Sequence, residues 1–314
     1  MDSLWKMWHT EPHKLVGTSY TLKGFSIAAK RTNFYIPELR ILLDAGLSAN
    51  LSPECILITH NHADHIANIS YHLYLVHKKI PIFVPAESLV RLDRKIKSDH
   101  LASAEIDDDD ISHITKLYEL IPAYDGLTEI IIGEKAETYK DANGEEKVRY
   151  KNGKPMKMEI IKCDHGINCV GYGLIEKKFK LKEEYKHLSG KEIGALKKSG
   201  VDVLFEEDFP FFCYLGDTSC EVLKDPRLEK YVTLMIESTF ILPDELDNAI
   251  RTKHMHWDHL EPYVLAHPKI NFILYHFSER YKHEDIKEFF EKKFVDKGIT
   301  NVVPWISQSK NDNA

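Results

Sequence analysis

Residues 55–65 read Cys-Ile-Leu-Ile-Thr-His-Asn-His-Ala-Asp-His. The run from Cys55 to Ile58 is continuously apolar, as in a short strand buried on both faces. Beyond Thr59, four potential metal ligands, His60, His62, Asp64 and His65, fall within six residues. Launched from a strand end, they put three imidazoles and a carboxylate around one point. Imidazole and carboxylate suit zinc, and an open coordination position lowers the pKa of a bound water to about 7. A turn that merely collected polar residues would not be expected to show the order His-x-His-x-Asp-His directly after a buried strand.

Outward from this loop, three more strand-like runs end in a candidate ligand. Asp164-His165-Gly166 follows MEIIKC, Gly216-Asp217-Thr218 follows FFCYL, and His276 follows INFILY. Each alone is a weak signal, but their order after the histidine cluster makes a set. Elsewhere, short alternating runs over 14–29 and 33–46 and the apolar IPIFVP at 80–85 predict strands. ANISYHLYLVHK (67–78) predicts a helix, SLVRLDRKIKSDHL (88–101) a surface helix, and HEDIKEFFEKKFVDKG (283–298) a helix with Ile286, Phe289, Phe290 and Phe294 on one face. Two Asn-Gly pairs, Asn143-Gly144 and Asn152-Gly153, predict hairpins over 129–163. Asp107 to Asp110 reads as a solvated loop or helix cap, and the tail from about 306 as loose. Strands followed by helices in both halves predict two sheets packed together with helices outside, in a single domain over 1–314.

Composition sets limits. The 314 residues are 43% hydrophobic and 29% charged, which excludes disorder and a disulfide miniprotein. A net charge of −7 argues against a general nucleic-acid coat and leaves room for a local basic patch. The 17 histidines are an excess that points to metal or acid–base chemistry. Five cysteines without a CxxC pair read as mostly buried thiols of a reducing compartment. No apolar run approaches the roughly 20 residues that span a bilayer, and the N-terminal segment is not that of a signal or transit peptide. The expectation is a cytoplasmic protein, or a nuclear one if the host has a nucleus, with no membrane partner.

The His60–His65 loop resembles the signature of the metallo-β-lactamase superfamily. That resemblance implies an α/β fold of the αββα type, with two mixed β-sheets packed face to face and helices outside. It also implies two zinc ions, manganese or iron(II) being acceptable to the same donors. One ion would take His60, His62, His165 and Asp217; the other would take Asp64, His65, His276 and the shared Asp217. Further on, His276-Phe277-Ser278-Glu279-Arg280-Tyr281 resembles the HFSxRY segment of ribonuclease Z, and Glu237-Ser238-Thr239-Phe240 resembles its ExTF segment. Lys253-His254-Met255-His256 resembles its later histidine segment. The branch implies a dinuclear phosphodiesterase in which a metal-bridging hydroxide attacks an RNA phosphodiester, such as that at the 3′ end of precursor tRNA. Asp64 would serve the reaction, His254 would protonate the leaving oxygen and Glu237 would orient it. An alkoxide leaving group needs an acid, and a carboxylate keeps an imidazole protonated near neutrality. Arg280, Tyr281 and Ser278 would contact substrate, with an ion pair, core packing and a turn as their respective alternatives. His256 and His259 read as structural, and dimers are common in the branch. Two further readings are a hydrolase of β-lactams or small esters and phosphodiesters on the same site, and a non-catalytic RNA-binding scaffold.

The sequence departs from that branch in three places. Asn68 stands where a DHxxG pattern has glycine, and the proline before Arg31 is missing. The glycine-rich arm expected between His165 and Asp217 is replaced by KKFKLKEEYKHLSGKEIGALKKSG. Its lysines, from Lys177 to Lys198, read equally as a basic RNA-binding segment and as a solvated helix face.

Overall fold

The computed structural model describes residues 11–104, 111–131, 134–140, 146–151 and 155–307. The first half of the chain lays down one seven-stranded sheet in sequence order. Its strands are β1 (His13–Lys14), β2 (Thr21–Ile27), β3 (Arg31–Ile36), β4 (Ile41–Leu43), β5 (Cys55–Leu57), β6 (Ile80–Pro85) and β7 (Tyr118–Ala123). Pairing is antiparallel through β4 and parallel from β4 to β7. The second half begins with β8 (Gly126–Ile131), followed by a separate two-stranded ribbon of β9 (Glu134–Lys140) and β10 (Glu146–Lys151). Then come β11 (Pro155–Cys163), β12 (Cys169–Leu181), β13 (Leu204–Tyr214), β14 (Thr233–Glu237), β15 (Asn271–Tyr275) and β16 (Val302–Pro304). The second sheet runs β16-β15-β14-β13-β12-β11-β8, parallel from β13 to β16 and antiparallel elsewhere.

The two inner faces meet in a core where Phe34 stands edge-on to Tyr214, Tyr275 and Trp305, with centroids 6.1, 5.6 and 5.3 Å away. The outer face of the first sheet packs Ile56, Ile82 and Val84 against Leu73, Leu92 and Ile96 of helices Ile69–Tyr74 and Leu89–Ala104. On the second sheet, Ile236 and Phe272 lie under Trp257, Leu260, Ile286 and Phe290 of helices Trp257–Ala266 and His283–Lys297. This is the αββα sandwich of two mixed sheets. Strands covered on both sides cannot alternate in polarity, which is why β5 and β14 are buried at every residue.

Several local expectations are refined. The helix expected over 67–78 is two short ones, Ala63–Ile66 and Ile69–Tyr74. Of the two hairpins, β9 and β10 pair with each other, whereas β11 pairs with β8 and β12 rather than with β10. Both Asn-Gly pairs and Asp107–Asp110 lie outside the described residues. The tail expected to be loose from about 306 is held at Ser307, which is buried and whose Oγ accepts from Ser26 N at 3.1 Å; 308–314 lie outside the described residues. Four of the five cysteines are buried and none is disulfide-bonded. No helix among the described residues is long and apolar enough to cross a membrane.

The lysine-rich segment forms an arm. β12 and β13 extend as a paired ribbon, and helix Gly190–Lys198, opened by a Ser189/Glu192 capping box, sits at its far end. The register sets Lys177 opposite Asp208 and Lys178 opposite Glu207. Lys177 pairs with Glu206 at 3.5 Å, Lys180 with Glu207, and Lys182 with Asp202 at 3.8 Å. Acids 20 to 29 residues downstream thus neutralise Lys177, Lys180 and Lys182. Lys191, Lys197 and Lys198, on the helix, make no ion pair among the described residues.

Candidate metal centre

All the candidate ligands gather at one edge of the sandwich, where β5, β11, β13 and β15 end. Carboxyl ends of strands are the usual location for sites in such sheets. Two close approaches allow it. A Cβ on Gly46 would stand 1.7 Å from Asp64 O, and one on Gly216 would lie 2.5 Å from Cys169 Sγ and 2.7 Å from Thr59 Cβ, so only glycine lets these loops converge. Among the described residues five non-glycine residues have positive φ, and Asp44, Lys253, His276 and Ala29 among them touch the centre. Backbone held in that region concentrates where a site is being shaped.

His60 Nε2 and His165 Nε2 lie 3.1 and 3.2 Å from His62 Nδ1. His65 Nε2 and His276 Nε2 are 3.4 Å apart, and Asp64 Oδ2 is 3.5 and 3.3 Å from them. Asp217 sits between the two groups, with Oδ2 3.6 Å from His60 Nε2 and Oδ1 3.5 Å from His65 Nε2. Metal–nitrogen bonds of 2.0–2.1 Å give a tetrahedral edge of about 3.3 Å, the spacing these nitrogens have. Asp217 Oδ1 is buried without a hydrogen-bond partner, which a carboxylate tolerates when a cation is its intended partner. The residues therefore fit divalent metal ions, His60, His62, His165 and Asp217 forming one ligand group and Asp64, His65 and His276 the other.

The far nitrogen of each candidate ligand that points Nε2 inward is fixed. His60 Nδ1 meets Thr59 Oγ1 at 3.0 Å, His65 Nδ1 meets Asp44 Oδ2 at 2.8 Å, His165 Nδ1 meets Lys253 O at 3.1 Å, and His276 Nδ1 meets Thr239 Oγ1 at 3.0 Å. Such contacts set tautomer and ring direction. Electrostatics agree. Burial, reinforced by neighbouring imidazoles, pushes His60, His62 and His165 below the usual histidine range, towards the neutral form that metal ligation would require. His65 moves the other way: burial opposes its charge, but Asp217 and Asp44 outweigh it. Asp64 and Asp217 stay ionised because the surrounding histidines overcome the burial that would protonate them.

Beside the ligands, His254 Nδ1 lies 2.7 Å from Glu237 Oε1 and 4.0 Å from Asp217 Oδ2. Burial lowers the His254 pKa, yet Glu237 and then Asp217 raise it to about 9. Glu237 is fully buried and also accepts from Thr218 N at 2.8 Å and from Thr239 Oγ1. A cleft lined by His62, Asp64, Phe240, His254 and Arg280 opens onto the pair. The other expected substrate contacts separate here. Arg280 lines the cleft, half-exposed, while bound to Glu245 Oε1 at 2.8 Å and to Ser278 Oγ at 3.1 Å. Ser278 also donates its backbone N–H to Thr239 O at 3.0 Å. The Tyr281 hydroxyl binds Glu245 and accepts from Ile241 N at 3.1 Å, so its contacts describe packing. His256 caps helix Trp257–Ala266, accepting from Asp258 N at 3.0 Å.

Asp44 was not among the sequence-based candidates. It is fully buried and accepts from Thr59 N at 2.8 Å, from Tyr214 OH at 2.6 Å and from His65 Nδ1. Its only sequence signal is its position at the end of the apolar run ILL, one strand before the cluster. Asp44→Asn should keep the fold but offer an N–H towards His65 Nδ1, driving the ring proton to Nε2, the ligand atom. Metal affinity is expected to fall roughly 10- to 100-fold. Metal content after dialysis against graded chelator, with circular dichroism as the control, checks this.

The missing DHxxG glycine also has a local explanation. Asn68 sits at φ −112°, where any residue fits, and its Nδ2 donates to Gly46 O at 2.8 Å.

No family model matches the sequence. Among curated proteins, tRNase Z TRZ1 of Arabidopsis thaliana is 28% identical over 285 residues, covering 86% of this chain and 89% of that protein. The chloroplastic tRNase Z TRZ2 of the same plant is 26% identical over 288 residues, covering 86% of this chain and 71% of that one. The crystal structure of human tRNase Z, short form, aligns with 82% of this chain and 92% of its own at 16% identity and a TM-score of 0.47. Over most of its length the chain is thus similar to tRNase Z proteins, and its two mixed sheets with helices outside form an αββα sandwich.

Proposed function

We propose that the protein is an endoribonuclease that cuts precursor tRNA at its 3′ end, using two divalent ions, zinc first by donor type. The observation that carries this reading is the His254–Glu237 pair, 2.7 Å apart, facing the same centre as the ligands. His60, His62, His165 and Asp217 would hold one ion, and Asp64, His65, His276 and Asp217 the other. Two such ions supply a nucleophilic water at neutral pH and neutralise charge on the phosphate during in-line displacement.

The chain's own residues do the rest. Glu237 binds His254 Nδ1, which leaves Nε2 to deliver the proton to the 3′ oxygen as its bond to phosphorus breaks. Thr239 ties Glu237 to His276, so the acid and a ligand share one support. With a cation held at Asp217, part of that carboxylate's charge would be cancelled, and Glu237 would be the group that keeps His254 protonated.

Metal-loaded protein incubated with a precursor tRNA should release the trailer by a single cut after the discriminator base, leaving a 3′-hydroxyl. Scattered cuts would leave only a nuclease. A higher kcat/KM on a small diester or a β-lactam than on the precursor would favour the alternative substrates.

The arm is the part of the surface suited to RNA. Changing Lys191, Lys197 and Lys198 together to alanine should weaken binding and reduce the salt dependence of log Kd by about 2, near 0.7–0.9 per lost phosphate contact. Hydrolysis of a small diester should not change. An unaltered salt slope would make the helix a solvated face.

A further inference from the structure

A second cleft, of about 680 Å³, meets the centre on the His165 side. It lies between the start of helix Leu89–Ala104, the β7–β8 connection at Tyr124 and the loop Asp164–Asn168. Three cations and three carboxylates line it. Asp164 is taken by Lys253 at 2.7 Å, and Asp125 by Arg227 at 2.8 Å. Arg91 donates from Nη1 to the Glu87 carbonyl at 2.9 Å, and neither it nor Lys162 makes an ion pair among the described residues. Glu87 is the one carboxylate of the three without an ion pair among the described residues, so two unpaired cations face one unpaired acid there. Tyr124 is 67% exposed and Ile167 38%, and both line the same cleft, an apolar platform beside unpaired cations. The buried Oδ1 of Asn61, in the same wall, is an acceptor without a partner.

We propose that this cleft is the subsite for the first nucleotides of the released segment, with Arg91 and Lys162 on backbone phosphates and Tyr124 under a base. The inference rests on the endoribonuclease reading above. In that reaction the bond from phosphorus to the 3′ oxygen breaks, the oxygen takes its proton from His254, and the phosphate stays with the downstream segment. His254 lines the first cleft, with Phe240 and Arg280, so the oxygen that departs belongs to the strand lying there. The downstream strand must leave the centre by another route, and the His165 side offers one with unpaired positive charge and an exposed aromatic ring. A guanidinium suits phosphate, and a phenol face stacks on any base, so the subsite would hold RNA without reading sequence.

The test compares precursors carrying one and four nucleotides beyond the cut, with bis(p-nitrophenyl) phosphate as a substrate that has none. In the native protein the longer trailer should lower KM. The double variant Arg91→Ala/Lys162→Ala should lose roughly 10- to 100-fold in kcat/KM on the long precursor, mostly through KM, and should no longer distinguish the two lengths. Tyr124→Ala should lose a smaller part that Tyr124→Phe retains. Hydrolysis of the small diester should be unchanged in all of them, which also reports correct folding. Activity on the long precursor within about twofold of native in the double variant would overturn the subsite, as would an equal loss on the small diester. If the native protein hydrolyses the small diester but cuts no RNA, the endoribonuclease reading fails instead. Inhibition of small-diester hydrolysis by a 5′-phosphorylated tetranucleotide then reads the cleft directly: weaker inhibition in the double variant supports it, and equal inhibition overturns it.

Discussion

Asp217→Ala is expected to abolish detectable cleavage, a loss of at least about 10³-fold, and to strip the centre of metal rather than slow it alone. Its carboxylate reaches both ligand groups, lying 3.6 Å from His60 Nε2, 3.5 Å from His65 Nε2 and 3.5 Å from His276 Nε2. Without it, two clusters of imidazoles would face each other, with Asp64 the one carboxylate left among the proposed ligands to balance the two proposed cations. The effect should also appear as stability. A ligand that binds only the native state adds about 4 kcal/mol at a thousand times its Kd. Native protein should therefore melt several degrees higher with metal than after chelation, and Asp217→Ala should lose most of that difference. Thermal melts with and without chelator, beside metal content by atomic emission, check both halves. Retained metal in two equivalents would sink the shared-ligand assignment.

The part of this centre that could be read from sequence is the part carried by strand ends. Cys55–Ile58 announces a buried strand and the next seven residues announce its chemistry, because local chain direction alone brings His60, His62, Asp64 and His65 together. His165, Asp217 and His276 could be ranked because each follows an apolar run. Asp44 also follows an apolar run but lies before the cluster, and its value depends on β4 lying beside β5, which places its carboxylate on Thr59 and His65. The Lys253 carbonyl that orients His165 is a backbone atom and carries no sequence signal at all. The arm shows the same limit in reverse. Its lysines look like an unopposed basic run until the β12–β13 register sets Glu206, Glu207 and Asp208 across from them. Nor did two Asn-Gly pairs decide two hairpins, since β11 is claimed by β8 and β12, where Met156, Met158 and Ile160 enter the core.

His254→Ala should lower kcat on RNA by roughly 10²- to 10⁴-fold, the usual worth of a positioned general acid, with metal content intact. The second condition matters, because His254, Asp217 and His276 lie close enough together to form a ligand group of their own. The Glu237 contact argues for the acid role, as it occupies Nδ1 and favours the protonated ring. The sign of the pH effect follows. A pKa raised from the ordinary 6.5 keeps the acid form at neutral pH, so activity should be held below the folded pKa and lost as pH rises through it, no higher than about 9. Glu237→Gln removes the main stabilising charge and should move that basic limb towards 6.5, costing activity at pH 8 more than at pH 6. The decisive comparison uses leaving groups. A ribose oxygen departs as an alkoxide and needs a proton, whereas p-nitrophenolate is a stable anion and does not. His254→Ala should therefore be nearly silent on bis(p-nitrophenyl) phosphate while crippled on precursor tRNA. Equal losses on both substrates, with metal released, would make His254 a ligand and leave the proton to come from solvent.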